Sequence, residues 1–162
     1  MHYFTVKIDV AAYPTLGELP PADRSLLLAA HQARQTAYAP YSGYPVGAAV
    51  LLGNGEIITG SNQENAAYPS GLCAERVALF YAHARYPDQP ILAIAITAGD
   101  EDNPDNEPVP PCGSCRQVMV ELESVQKQPM RLIMGGMHGK VYMIRRAEDM
   151  LPFTFKADNL EK

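Results

Sequence analysis

A chain of 162 residues, 47% hydrophobic and 19% charged, is sized for one compact domain around an apolar core. Its formal charge is −5, and Lys and Arg gather nowhere densely enough to neutralise a row of phosphates, which argues against a nucleic-acid polymer as partner. No apolar run approaches the roughly 20 residues of a membrane-spanning helix, and Lys7 and Asp9 interrupt the N-terminal apolar stretch, unlike a signal sequence; the expectation is a cytoplasmic protein with no membrane partner.

Taken in chain order, residues 2 to 10 alternate, with Phe4, Val6, Ile8 and Val10 on one side and Thr5, Lys7 and Asp9 on the other. That pattern predicts an extra strand or an extended arm over residues 1–20. After a Pro-rich stretch at 14 to 21, Leu26, Ala30, Ala33 and Ala37 recur at helical spacing until Pro40, the first helix. Two strands follow, 46 to 52 and 57 to 59, flanking GNGE, where Asn54-Gly55 suits a tight two-residue hairpin with positive backbone angles at both positions.

A second helix is expected from Cys73 to before Pro87, with Ala74, Val77, Ala78 and Tyr81 as its apolar stripe. ILAIAIT at 91 to 97 reads as a buried central strand, and the acidic, Pro-rich run at 99 to 111 as a loop that leads into the second cysteine motif. A third helix from Cys112 turns Val118, Met119, Leu122 and Val125 inward. Strands at 131 to 134 and 141 to 144 then pair antiparallel through GGMHGK, and a helical turn near 147 to 151 precedes the tail. The sum is an α/β fold of three layers, helix, mixed sheet and helix, with about five strands.

The chemistry concentrates in the three cysteines. Cys112 and Cys115 are three apart, so on the first turn of a helix their sulfurs share a face, while Cys73 opens another helix. Helix N-termini favour thiolates. Three thiolates on a zinc ion leave a fourth position open, as catalytic zinc sites do. Their net −1 charge with a divalent cation calls for a nearby guanidinium; Arg76 and Arg116 are the candidates, and Arg76 is favoured. Glu75 points away from the ligand direction and suits a proton shuttle. Cys-x-x-Cys alone is as often a structural knuckle or a redox pair, but no fourth cysteine exists, and His2, His31, His83 and His138 sit near neither motif.

GLCAER at 71 to 76 with PCGSCRQV at 111 to 118 resembles the zinc nucleoside deaminases, whose non-ligating Glu is an established feature of that chemistry and not something spacing yields. The likeness extends through AYAPYSGYPVGAAV at 37 to 50, GSNQENAAYPSGLCAER at 60 to 76 and MLPFTF at 150 to 155. That combination is similar to the small, homotetrameric cytidine deaminases. The resemblance implies a single catalytic domain over residues 21–162 with a cytidine deaminase-like fold, one zinc per subunit on Cys73, Cys112 and Cys115, and active sites shared within a tetramer. It implies hydrolysis of cytidine and deoxycytidine to uridine and deoxyuridine in pyrimidine salvage, by a zinc-activated water attacking C4 with Glu75 moving protons.

Residue by residue, the resemblance assigns Asn62 and Glu64 to the ribose 3′-hydroxyl, Glu75 to N3 of the base, the Ala74 amide to O2, and the Pro110 carbonyl to the departing amine. Phe155 and Tyr68 match residues offered to the site by a neighbouring subunit. Tyr44 stands where the family usually has Phe beside the nucleoside, a departure that adds a hydroxyl. The N-terminal arm and the long acidic loop have no counterpart to draw on.

Plainer roles compete with several of these. Asn62 and Glu64 are also residue types that cap turns, Tyr68 and Phe155 are also packing residues, and the acidic run is also a solvated loop. Among activities, a tRNA-base or deoxynucleotide deaminase is disfavoured by the acidic balance and by Glu64 beside the sugar, and a nucleoside-antibiotic deaminase by the intact Asn62 and Glu64. A catalytically silent zinc-binding interaction module is the alternative from another class.

Overall fold

A computed structural model describes residues 1–99 and 107–160 of the chain. Strands β1 (Val10–Tyr13), β2 (Val46–Leu52), β3 (Ile57–Ser61), β4 (Ile91–Ala98), β5 (Arg131–Gly135) and β6 (Val141–Ile144) form one sheet in the order β1-β6-β5-β4-β2-β3. Only β4 and β5 run parallel, because α3 (Gly113–Gln126) crosses between them; the other neighbours are antiparallel.

Alternation along the strands sorts the core into two layers. Ala48, Val50, Leu52, Ile94, Ile96, Leu132 and Met134 face α2 (Ala74–Arg85) and α3, while Ala49, Ala93, Ala95 and Ile133 meet Leu26, Leu27 and Ala30 of α1 (Pro21–Arg34). Small residues on the sheet let the helices sit close. A Cβ on Gly47 would fall 2.0 Å from the Ala30 carbonyl oxygen, and one on Gly60 would fall 2.8 Å from that of Ala74, so both approaches require glycine. Pro21 begins α1, where its missing N–H costs nothing.

The three-layer α/β architecture agrees with the sequence reading, with differences at the edges. The sheet has six strands instead of about five, and the added strand is shorter and later than the alternation at 2 to 10 predicts. Its partner offers only four positions, Val10 opposite Ile144 through Tyr13 opposite Val141. Upstream, Phe4, Val6 and Ile8 stay exposed with no layer to cover them, so alternation alone forms no ladder there. The hairpin also differs, since Gly55 alone has positive φ, at 88°. Gly55 N–H donates to Leu52 and Leu52 N–H to Glu56, a three-residue loop with a glycine bulge, which spares Asn54 the left-handed conformation. α1 ends at Arg34, before the Ala37 its periodicity suggested. Most of the acidic run, residues 100–106, lies outside the described residues.

Candidate metal centre and adjoining cleft

Two helix starts build the centre. Cys73 is the N-cap of α2 and Cys112 the N-cap of α3, each with extended backbone and with no side-chain cap hydrogen bond. Cys115 lies on the first turn of α3 and is fully buried. The Cys73 and Cys112 sulfurs are 3.8 Å apart and those of Cys112 and Cys115 3.4 Å apart, and all three lie within 4.8 Å of one another. A tetrahedral zinc with Zn–S of about 2.3 Å sets its sulfurs roughly 3.8 Å apart, so the donor set fits that ion by residue type and by spacing.

The local electrostatics favour anionic sulfur at Cys73. The Cys73 thiol is pulled down to about 5, first by the hydrogen bond with the Cys115 thiol, and also by the Arg76 guanidinium, against the effect of burial. Cys115 is pushed upward by the same bond and by desolvation, so a single proton-sharing pair holds its negative charge on the sulfur nearer the arginine. Arg76 Nη2 stands 3.7 Å from the Cys73 sulfur, and its buried Nε meets no acceptor among the described residues. Arg116, the other candidate, is used elsewhere. It donates to the Pro111 carbonyl at 2.8 Å and to the Met150 carbonyl at 3.1 Å, joining the head of α3 to the C-terminal segment. Glu75 is only 4% exposed, and burial above all raises its carboxyl pKa, with the Cys73 charge adding to the shift.

A cleft of about 270 Å³ opens beside the thiols, lined by Tyr44, Asn62, Glu64, Cys73, Glu75, Pro110 and Cys112 among others. Most of the residues singled out from the sequence therefore share one space, and Ala74 lies fully buried next to it in sequence. Asn62 and Glu64 also hold the protein itself. Asn62 accepts from the Val46 N–H at 2.8 Å and donates to the Tyr44 carbonyl at 3.0 Å. Glu64 accepts from the Tyr41 N–H at 2.9 Å, the Ser42 N–H at 3.2 Å and the Ser42 hydroxyl, which lowers its pKa, the Ser42 hydroxyl most of all.

Tyr68 is 76% exposed and packs edge-on against Tyr41 in a neighbouring cavity of about 460 Å³ that also reaches Cys73 and Arg76. Phe155 is exposed, lines neither space, and accepts a hydrogen bond at its carbonyl from the Gln117 amide. Ser42 and Val109 were not anticipated. The Ser-Gly dipeptide at 42 and 43, with Gly43 at φ 63°, is the turn signal that marks Ser42; nothing in the pattern marks Val109.

Thiols at two adjacent helix starts, with an acid two residues beyond the first, make a candidate metal centre in a protein of the three-layer α/β class. Residues 20–130 match the family model described as the cytidine and deoxycytidylate deaminase zinc-binding region. The chain is 42% identical to a cytidine deaminase of Halalkalibacterium halodurans, over 85% of this chain and 98% of the relative. It is 34% identical to one of Mycobacterium tuberculosis, over 89% and 98%. The crystal structure of a cytidine deaminase from Burkholderia pseudomallei superposes with a TM-score of 0.70 at 41% identity, over 81% of this chain and 97% of that one. The chain belongs to the cytidine and deoxycytidylate deaminase family.

Proposed function

We propose that the protein hydrolyses cytidine and deoxycytidine to uridine and deoxyuridine with release of ammonia. The observation that carries this reading is the convergence of three sulfurs within 4.8 Å beside a buried Glu75 at the wall of a nucleoside-sized cleft. Cys73, Cys112 and Cys115 hold one zinc ion per subunit, and that ion supplies an activated water when bound. Glu75 does the proton work. Its raised pKa keeps a carboxyl ready to take one proton from the water and pass it to N3 of the base, and then to take the remaining hydroxyl proton and pass it to the amine, which leaves as ammonia. Asn62 and Glu64 orient the ribose, the Ala74 amide and Pro110 carbonyl orient the base, and Tyr44 flanks it. Arg76 drains charge from the Cys73 sulfur.

The same reading takes residues 21–162 as the catalytic domain and residues 1–20 as an arm added to it. It places the enzyme in pyrimidine salvage in the cytoplasm, consistent with the lack of any helix among the described residues long and apolar enough to cross a membrane. Exposed Tyr68 and Phe155 suit a homotetramer in which neighbours complete each site.

The decisive assay follows ammonia release from cytidine, deoxycytidine, CMP and adenosine, with and without a chelator. Release is expected from the first two alone, and the chelator abolishes it. A zinc-loaded protein that leaves cytidine untouched overturns the assignment.

A further inference from the structure

The proposed reaction gives no role to the stretch from 99 to 109, yet both of its described sides are tied down. At the first, Arg34 on the last turn of α1 donates through Nε to the Pro45 carbonyl at 3.0 Å and through Nη2 to the Gly99 carbonyl. One guanidinium thus joins the entry to β2 and the exit from β4, whose neighbours Tyr44, Val46 and Ala98 line the cleft. At the second, the Glu107 carboxylate accepts from Lys140 Nζ at 2.5 Å and from the Tyr142 hydroxyl at 2.7 Å. Both partners stand at the start of β6, a strand paired on both sides within the sheet.

What joins Glu107 to the cleft is stiff. The residues that follow are Pro108, Val109, Pro110 and Pro111, and proline fixes φ at three of these four positions and drives each preceding residue into extended backbone. Such a run behaves as a short polyproline rod and not as a flexible tether. Val109 and Pro110 line the cleft, and Cys112 directly after the rod caps α3. Displacement at residue 107 is therefore carried to the cleft wall instead of being absorbed.

We propose that Glu107 is a positioning residue for the substrate cleft, gripping Lys140 and Tyr142 so that the proline rod holds the Val109–Pro110 wall against the base. This inference rests on reading the cleft as the nucleoside site. Because the carboxylate and the ammonium are both exposed, the grip is modest and sensitive to ionic strength. Its loss lowers the fraction of molecules with the wall in place, which weakens apparent substrate affinity and leaves the chemistry of bound substrate alone.

The test compares the zinc-loaded full chain with Glu107→Ala, Glu107→Gln and Tyr142→Phe, reading KM and kcat for cytidine and amide exchange at Val109 and Cys112. For Glu107→Ala, KM should rise about two- to fivefold with kcat nearly constant, and Val109 should exchange faster. Glu107→Gln keeps one acceptor oxygen in place of the two that Lys140 and Tyr142 use, and should fall between it and wild type. Unchanged KM, or unchanged exchange at Val109, overturns the proposal, as does a parallel loss of kcat and zinc, which marks a merely structural role. A wild-type protein inactive on cytidine fails the functional reading instead, and exchange at Val109 still decides whether Glu107 holds the wall.

Discussion

Arg76 and Cys73 are joined across one helical turn, the guanidinium Nη2 3.7 Å from the sulfur. A three-thiolate zinc site carries net negative charge, which opposes ionisation of a bound water, and a guanidinium donating to sulfur relieves that opposition. Arg76→Gln should keep zinc but lose about 10- to 100-fold in kcat/KM. Arg76→Lys should lie between, since it restores charge without the planar fork. Metal analysis alongside steady-state kinetics checks both, and full activity in Arg76→Gln would remove the guanidinium from the mechanism.

Glu75 sits behind Cys73 in a site that water barely reaches, 4% exposed. Gln has the same shape and cannot carry the proton, so Glu75→Gln should lose roughly 10²- to 10⁴-fold in kcat while retaining zinc and melting close to wild type. The informative comparison is ammonia release per bound zinc. Undiminished turnover would mean that another group moves the proton.

How far the sequence could be read depended on whether a residue's role was local. Cys112 and Cys115 are three apart on one helix, so their convergence followed from helical geometry alone. Cys73 joins them only because β2, β3 and β4 seat α2 against the sheet beside α3, and there the family resemblance did what spacing could not. Asn62 shows the opposite limit. Its amide is committed to the Val46 N–H and the Tyr44 carbonyl, a partnership across 16 and 18 residues that no local pattern announces. The extra strand begins later than the alternation suggests for a related reason, because alternation at Phe4, Val6 and Ile8 describes a strand only if an edge is there to receive it, and β6 pairs with Val10–Tyr13.

Glu64 binds the 41–42 turn through the Ser42 hydroxyl and two N–H groups, and its pKa is lowered by them. A folded-state pKa below the ordinary 4.5 means that the contact stabilises fully above that value and is lost as pH falls through the lower one. Ser42→Ala should therefore melt below wild type at pH 7, and the difference should shrink steadily as pH drops from about 5 toward 3. Melting curves across that range provide the check. A gap that stays constant with pH would show that the serine acts through packing and not through the carboxylate.

Gly60 on β3 lies directly under the first turn of α2, where an added Cβ would stand 2.7 Å from the Ala78 nitrogen and 2.8 Å from the Ala74 carbonyl oxygen. Those neighbours are helix backbone, which cannot swing aside like a side chain. Gly60→Ala should therefore lift α2 from the sheet at a cost of about 1 to 3 kcal/mol. Because Cys73 caps that helix while Cys112 and Cys115 ride on α3, the lift should also separate the sulfurs and weaken zinc binding. Thermal melting and competition for zinc with a chromogenic chelator measure the two effects. Gly17→Ala serves as control, since its Cβ would meet only the Thr15 hydroxyl at an ordinary 3.6 Å. If Gly60→Ala matches that control in both stability and metal affinity, the seating of α2 does not set the geometry of the thiol site.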